Sequence, residues 1–472
     1  MADEKVRLLV EKERRRTRRL QAANAKKGKL IQRMHQASAK LVRAMDVVRS
    51  RVSPRFHQLL DSEFRNRGIS PRGRRWTVDE KLSALGWYHR GRNLYNYLRN
   101  SYMALPSSAT LRMFVGRADL RPGINVHLCR ALKRRLQRTP SKDVVFMWDE
   151  VSLRKELVHR RKEDRIVGFA DYGTGERPNK VASHAWIGMV KGLFENYKFP
   201  VVYHLTAGDE DGVETAELVK GIISALQDIG FRIRASVCDG PPKHLAALRH
   251  LGATPEDPTF TINGEKIFAF IDPPHLVKAV RNNLLTHILC LGDKEVKFEY
   301  VRTFAEKDKT FPARLAPKLT DTHVAPKTSK QKMDCGRAYQ TLSSSVAAGL
   351  YAFSSFHQLP REAEHTAAFF HDMDLLADSF NGSTVPDPNK PSLKPHKVAL
   401  SQGSPHKAHW SHMKNVFKDL TFRRISNSHV VRKLPFQDSW TLSMNAAEKL
   451  WEAVEAEGQP FLPTKALNQV RK

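Results

Sequence analysis

Apolar residues in the first fifty positions sit three and four apart: Ile31, Met34, Leu41, Met45 and Val48 share one seam, with Ser38 its single polar member. Most other positions in residues 1–52 are charged or strong helix formers. The spacing predicts one basic helix whose a/d stripe of about two and a half heptads suits coiled-coil dimerisation. A solvated helix that lays its stripe on its own chain has the same period, so spacing leaves both arrangements open. From 53 to 142 the pattern shortens into amphipathic helices. Trp76-Thr77 ahead of Asp79 and Glu80 marks a helix start with an acidic first turn, and Asn93 to Leu98 forms a second helix. In LPSSATLRMF (105–114), Pro106 and a capping Ser107 or Ser108 introduce a third helix that carries Arg112. Two helices, a tight turn and a short basic helix make a helix-turn-helix profile for DNA binding, an outline that a plain three-helix bundle shares.

At 143 the pattern changes to strands. Val144 to Trp148 is apolar and ends in Asp149 and Glu150; Ile166 to Tyr172, Ala182 to Val190 and Phe199 to Leu205 are further candidates. Val213 to Ile229 is helical, with Val219, Ile222, Ile223 and Leu226 on one face. Ile233 to Cys238 is a strand that stops at Asp239-Gly240. A helix over 241–251 follows, then a hairpin from Thr259 to Ile271 that turns at Asn263-Gly264 and ends at Asp272. The order predicts an α/β unit over 143–288 whose first and fourth strands are neighbours. Residues 289–472 read as mostly helical, with a Pro- and Lys-rich connector at 385–398. The fold class is therefore α/β plus α.

Charge narrows the partner. Lys and Arg number 79 against 49 Asp and Glu, a net charge of +30, which favours a polyanion because each phosphate contact releases a condensed counterion. Ribosomal, RNA-binding and membrane-surface proteins share that excess, so it selects a partner class and no activity. Lys12, Arg14, Arg15, Arg16, Arg18 and Arg19 form a run suited to gripping phosphates or to nuclear import. The four cysteines (Cys129, Cys238, Cys290 and Cys335) are far apart without a CxxC pair, which argues against a zinc finger or a disulfide framework. The charged start is unlike a signal peptide, and no apolar run approaches the roughly 20 residues that span a bilayer. A soluble intracellular protein without a membrane partner is expected.

The carboxylates carry the chemistry. Phosphodiester cleavage commonly uses two divalent ions, and hard ions of that kind take carboxylate oxygens, few in number, with water completing the shell. Asp149 and Asp239 each end an apolar strand; if those strands are adjacent and parallel, both reach one crevice at the carboxyl edge of the sheet. A strand-end acid is also a common turn former or helix cap. Glu150 faces the other way in an extended strand. Asp272, followed by Pro273-Pro274, reads as a helix cap. There is no GxxxxGK[ST] loop, and the His residues show no metal-ligand spacing.

Several long stretches resemble P-element transposases, including their THAP-domain-containing relatives. They are LPSSATLR (105–112), WDEVSLRKELVHRRKEDRIVGFADYG (148–173), VCDGPPKHLAALRHLG (238–252, with the preceding Val237), FIDPPHLVKAVRNNLL (270–285) and the segment 316–351. The resemblance runs in order from about 75 to 469. It implies a helix-turn-helix region, then a ribonuclease-H-like domain interrupted by a helical insertion that binds GTP. It also implies Mg²⁺- or Mn²⁺-dependent cleavage and strand transfer at transposon ends, on double-stranded DNA, by a nuclear homo-oligomer. Asp149 and Asp239 match the first and second catalytic aspartates. LADSFNGS (376–383) resembles the stretch that contacts guanine nucleotide, which points to Asp378 and Asn381, with Ala377 in place of a usual aromatic. Ser107, Ser108 and Arg112, with Arg14, Arg15 and Arg16, are the DNA-contact candidates. Two departures stand out. No zinc-binding Cys/His set precedes Cys129, and Leu467-Asn468-Gln469 resembles the approach to the family's last catalytic Glu but is followed by Val470. The expectation is a transposase with an incomplete catalytic domain; the alternative is a transposase-derived DNA-binding repressor.

Overall fold

The computed structural model describes residues 2–116, 121–137, 141–161, 164–175, 177–383, 385 and 394–469. Most of the 385–398 connector and the end from Val470 to Lys472 lie outside the described residues. The chain divides into two compact units, Met1–Leu120 and Arg121–Lys472.

The first unit is helical: α1 (Ala2–Arg51), α2 (Pro54–Asn66), α3 (Val78–Arg90), α4 (Arg92–Ser101) and α5 (Ser108–Val115). The seam of α1 stays open to solvent, with Ile31 45% and Met34 64% exposed; the side chain of Leu41 lies outside the described residues. Thr77 caps α3 through a capping box in which Glu80 Oε2 accepts from the Thr77 N–H at 2.8 Å. Glu80 also pairs with Arg65 at 2.7 Å and so ties α2 to α3. Ser107, rather than Ser108, caps α5 and accepts from the Thr110 N–H at 3.1 Å. Ala84, Tyr95, Leu105 and Leu111 form a small core. The Tyr95 hydroxyl donates to Pro106 O at 2.7 Å and pins the turn before α5; burial pushes its pKa up to about 12.

The second unit opens with β1 (Gly123–Ile124), α6 (Val126–Leu136), β2 (Asp143–Ser152), β3 (Val158–Arg160), β4 (Arg165–Val167), β5 (His184–Gly192) and β6 (Lys198–Thr206). It continues through α7 (Gly212–Ile229), β7 (Arg232–Cys238), α8 (Pro242–Leu251), β8 (Thr259–Ile262), β9 (Glu265–Ile271) and α9 (Pro273–Leu284). The main sheet has the order β1-β6-β5-β2-β7-β9-β8. β2 pairs antiparallel with β5, and β5 with β6, whereas β2, β7 and β9 run parallel. The first and fourth long strands, β2 and β7, are neighbours as the sequence order predicts. Val144 through Trp148 are all buried, which is why β2 reads as a continuous apolar run and not an alternating one. Asp211 caps α7 with a capping box, Gly230 ends it at φ 103°, and Asn263 (φ 51°) with Gly264 (φ 79°) makes the tight turn between β8 and β9.

Three expectations change. The α/β unit starts near 121 and not at 143: Gly123 pairs with Tyr203, and Cys129, Leu132 and Leu136 of α6 enter the sheet's core. Residues 166–172 are not a sheet strand. Gly168 has φ 116°, and a Cβ there would lie 2.1 Å from Glu156 O, so the run breaks into the β3–β4 ribbon and two isolated bridges. The stretch 289–472 is not one helical domain either. After α9 come β10 (His287–Leu291), β11 (Lys294–Val296), α10 (Phe298–Asp308), α11 (Asp321–Val324), α12 (Ser329–Lys332), α13 (Cys335–Thr341), α14 (Ser344–Ser355), α15 (Ala363–Ser379), α16 (His406–Asp419), β12 (Thr421–Arg424) and β13 (Val430–Val431). These enclose a second sheet, β11-β10-β12-β13. The chain then returns: α17 (Pro435–Ala456) lies along β9, where Ser443 Oγ accepts from the Ile271 N–H at 3.1 Å and Asn445 donates to Pro255 O at 2.6 Å. Burial of Trp440, Leu450 and Val454 in the shared core explains the return, which the helical period alone does not disclose.

Candidate active site

The parallel strands set the register of the acids. Met147 lies opposite Val237, and Cys238 opposite Ile271. Counting forward, Asp149, Asp239 and Asp272 fall level across three adjacent strands. Asp239 and Asp272 stand just past the ends of β7 and β9, whereas Asp149 does not end its strand as expected but lies inside β2, which runs on to Ser152 against β5. The fields of Asp239, Asp149 and Asp272 all reach the buried Cys238 thiol and, with desolvation as the main cause, push its pKa up. Asp149 is half-buried and accepts from the Glu150 N–H at 2.8 Å. Glu150, on the alternate face, pairs with Lys243 at 2.6 Å and is thereby occupied.

Asp239 follows the last ladder pair of β7. Its Oδ1 lies 2.5 Å from Nδ1 of the buried His244. Burial works against its ionisation, but His244, His275 and Lys278 outweigh that and hold the carboxyl below the usual range. Asp272 is the helix cap of α9: it accepts from the His275 N–H and contacts His275 Nδ1 at 2.7 Å, while its other oxygen accepts from the Gln469 N–H at 2.7 Å. Both oxygens of Asp272 are therefore engaged. Carboxylates such as Asp149 and Asp239 are of the donor type that Mg²⁺ and Mn²⁺ take, with water or substrate oxygens in the remaining positions. Among the described residues no group of three or more His, Cys, Asp or Glu side chains is arranged around one metal position.

Gln469 closes the arrangement. Its side-chain amide donates to Trp148 O at 2.9 Å, so the segment after the short 3-10 turn Thr464–Leu467 reaches the same strand ends. The roles of His244 and Gln469 were not read from the sequence. A histidine five residues after a strand-end Asp, on the buried side of a helix, was the available signal for the first; the second depends on a contact across 321 residues.

The remaining candidates are dispersed. The Asp378 carboxylate is held by Lys394 at 3.1 Å and Lys397 at 3.8 Å. Asn381 instead lines a cleft of about 770 Å³ with Tyr339, Lys191, Lys198, Lys465 and Gln469. Lys191 donates to Lys465 O at 2.8 Å and Asn468 O at 3.1 Å; burial, with help from Lys198 and Lys465, lowers its pKa to about 8. In the first unit Arg112 is exposed on α5, and Ser107 and Ser108 open that helix. Arg14, Arg15 and Arg16 are exposed on α1, the last two within reach of Glu11 and Glu13.

An antiparallel trio joined to a parallel trio through one shared central strand, with acids level at its carboxyl ends, defines a ribonuclease-H-like protein. Residues 120–252 match the family model "TNP-like, RNase H N-terminal domain", and residues 274–389 match "TNP-like, GTP-binding insertion domain". The chain is 23% identical over 308 residues to the Transposable element P transposase of Drosophila melanogaster, covering 64% of this chain and 38% of that protein. It is 24% identical over 224 residues to DNA transposase THAP9 of Homo sapiens, covering 44% of this chain and 24% of that protein. This chain therefore spans well under two thirds of the length of either relative. Its fold is similar to a chain of the Drosophila P element transposase strand transfer complex, with TM-score 0.66 at 19% identity over 92% of this chain and 90% of that one. In domain make-up and fold the chain is similar to P-element transposases.

Proposed function

We propose that the chain acts on DNA as a P-element-type transposase, with Asp149 and Asp239 as ligands of a divalent metal, Mg²⁺ or Mn²⁺. The observation that carries this reading is the level placement of the two carboxylates on the adjacent parallel strands β2 and β7, at the point where those strands cease to pair, while Asp272 caps α9 and Glu150 lies on the other face of β2. When bound, such an ion supplies Lewis-acid polarisation of a phosphoryl oxygen and a more acidic water. The chain's own groups do the positioning: His244 holds Asp239, and Gln469 locks the backbone between the two strands.

A net charge of +30 supports double-stranded DNA as the partner, with transposon ends as the proposed site. The exposed Arg14–Arg16 run would grip backbone phosphates, and Ser107, Ser108 and Arg112 on the last helix of a helix-turn-helix would meet the duplex. The uncovered stripe of α1 supports homo-oligomerisation through a coiled coil, and its basic run supports nuclear import. GTP is the proposed nucleotide. Asn381 opens on a cleft whose three lysines suit phosphates, and Asp378 would read guanine once released from Lys394 and Lys397.

The test is a terminal-repeat duplex incubated with the purified chain, with binding and Mg²⁺-dependent nicking measured separately. The proposal predicts that D149N and D239N abolish nicking and leave duplex binding intact. Nicking that survives both substitutions contradicts the assignment, whereas binding without any nicking by the unmodified chain favours a DNA-binding regulator.

A further inference from the structure

Beneath Asp239 lies a buried imidazole with one evident task. His244, in the first turn of α8, is 1% exposed and sets Nδ1 2.5 Å from Asp239 Oδ1. Its ring packs on Trp148 with centroids 4.5 Å apart. Trp148 is itself fixed: Nε1 donates to Ser236 Oγ at 3.0 Å, and the indole stacks on Trp186 at 5.8 Å. The imidazole is thereby clamped. Neither ring nitrogen makes a regular hydrogen bond among the described residues, nor does Asp239 Oδ1, so the 2.5 Å approach of Nδ1 to Oδ1 is an ion-pair contact, and the carboxylate is the polar group against which the ring is set. Two bare acceptors at that separation would repel, which puts the proton on Nδ1.

Asp239 needs such a support. It stands past the last ladder pair of β7 and before Gly240-Pro241, so no strand neighbour fixes its side chain. The prolines compensate by fixing where α8 begins: Pro242 is the first helical residue, its φ preset, and His244 follows two positions on.

We propose that His244 is a positioning residue for the metal centre: it holds one oxygen of Asp239 so that the other is presented beside Asp149 to the divalent ion. The inference rests on the metal reading above. Ligating carboxylates held by outer-shell donors bind metal more tightly than free ones, and loss of such a donor typically weakens affinity about 10–100-fold.

Mn²⁺ binding to the full chain, followed by water-proton relaxation, tests this without any turnover. H244F and H244L remove the donor and keep apolar bulk against Trp148; H244N places an amide N–H near the lost Nδ1. Far-UV circular dichroism and thermal melting confirm the fold of each variant. The expected result is Mn²⁺ affinity lowered about 10-fold or more in H244F and H244L, with H244N close to the unmodified chain and D239N at least as impaired as H244F. A folded H244F or H244L that binds Mn²⁺ normally while D239N does not overturns the positioning role. So does a folded H244N as weak as H244F, since packing alone would then explain the loss. If D239N also binds Mn²⁺ normally, the metal reading fails first and the inference falls with it.

Discussion

The sheet of the second unit and the helices of the first solve opposite problems. The sheet buries both faces of β2 between β5 and β7 in one continuous core, and offers acids at its edge. The core cluster of the first unit has only four buried apolar side chains among the described residues, while α1 exposes Leu8, Leu20, Ile31 and Met34 along its length. A core of that size relies on local devices such as the Thr77–Glu80 capping box and the Arg65–Glu80 pair. The sheet is stable through contacts distant in sequence, and the helical unit through contacts close in sequence plus whatever covers α1. The proposed function divides the same way: the metal chemistry, which needs fixed geometry, would sit on the sheet, and the DNA-phosphate contacts, which need only charge, on the helices.

The largest effect should come from the centre of the sheet. Trp148→Ala leaves a cavity between Trp186 and His244 and should cost about 3–5 kcal/mol in urea unfolding of the second unit; a loss under about 1 kcal/mol would break the contrast between the units. Acid should destabilise the second unit through His406. Burial, aided by His396, lowers the folded pKa from the ordinary 6.5 to about 4. The unfolded chain binds that proton first, so the associated stability is complete above pH 6.5 and is lost as pH falls towards 4, to the extent of about 3 kcal/mol. His406→Leu should flatten that part of the stability–pH curve; an unchanged slope contradicts the assignment.

Smaller effects sharpen the same contrast. Thr77→Ala removes one half of the capping box and should cost about 1 kcal/mol in the first unit, while the second melts unchanged. Replacing Arg14, Arg15 and Arg16 together by Gln should move stability by less than about 0.5 kcal/mol. In duplex-DNA titrations it should nevertheless reduce the slope of log affinity against log salt by about 2–3; an unchanged slope removes these residues from the interface.

Legibility followed the same division. β2, α7, β7 and the β8–β9 hairpin were readable because burial on both faces, a single apolar helix face and an Asn-Gly turn each leave a local pattern. The level placement of Asp149 and Asp239 was readable because each follows a buried apolar run, although β2 continues past Asp149 to Ser152; Asp272 was readable as a cap from the prolines after it. The return of α17 to β9 was not, because a helix carries no mark of which sheet it will cover. β1 was too short to show a period, and Gly168 broke a run that otherwise reads as a strand. His244 looked like one more core histidine, since its meaning lies in a 2.5 Å contact that only the fold brings about.

One measurement bears most directly on the two aspartates. Crystals of the chain soaked in Mn²⁺ and recorded at a wavelength sensitive to manganese would locate the ion by its anomalous scattering. A peak bonded to one oxygen from Asp149 and one from Asp239 is the predicted result. A peak at Glu150, on the other face of β2, or none near Asp149 and Asp239 while Mn²⁺ binds elsewhere, would contradict it.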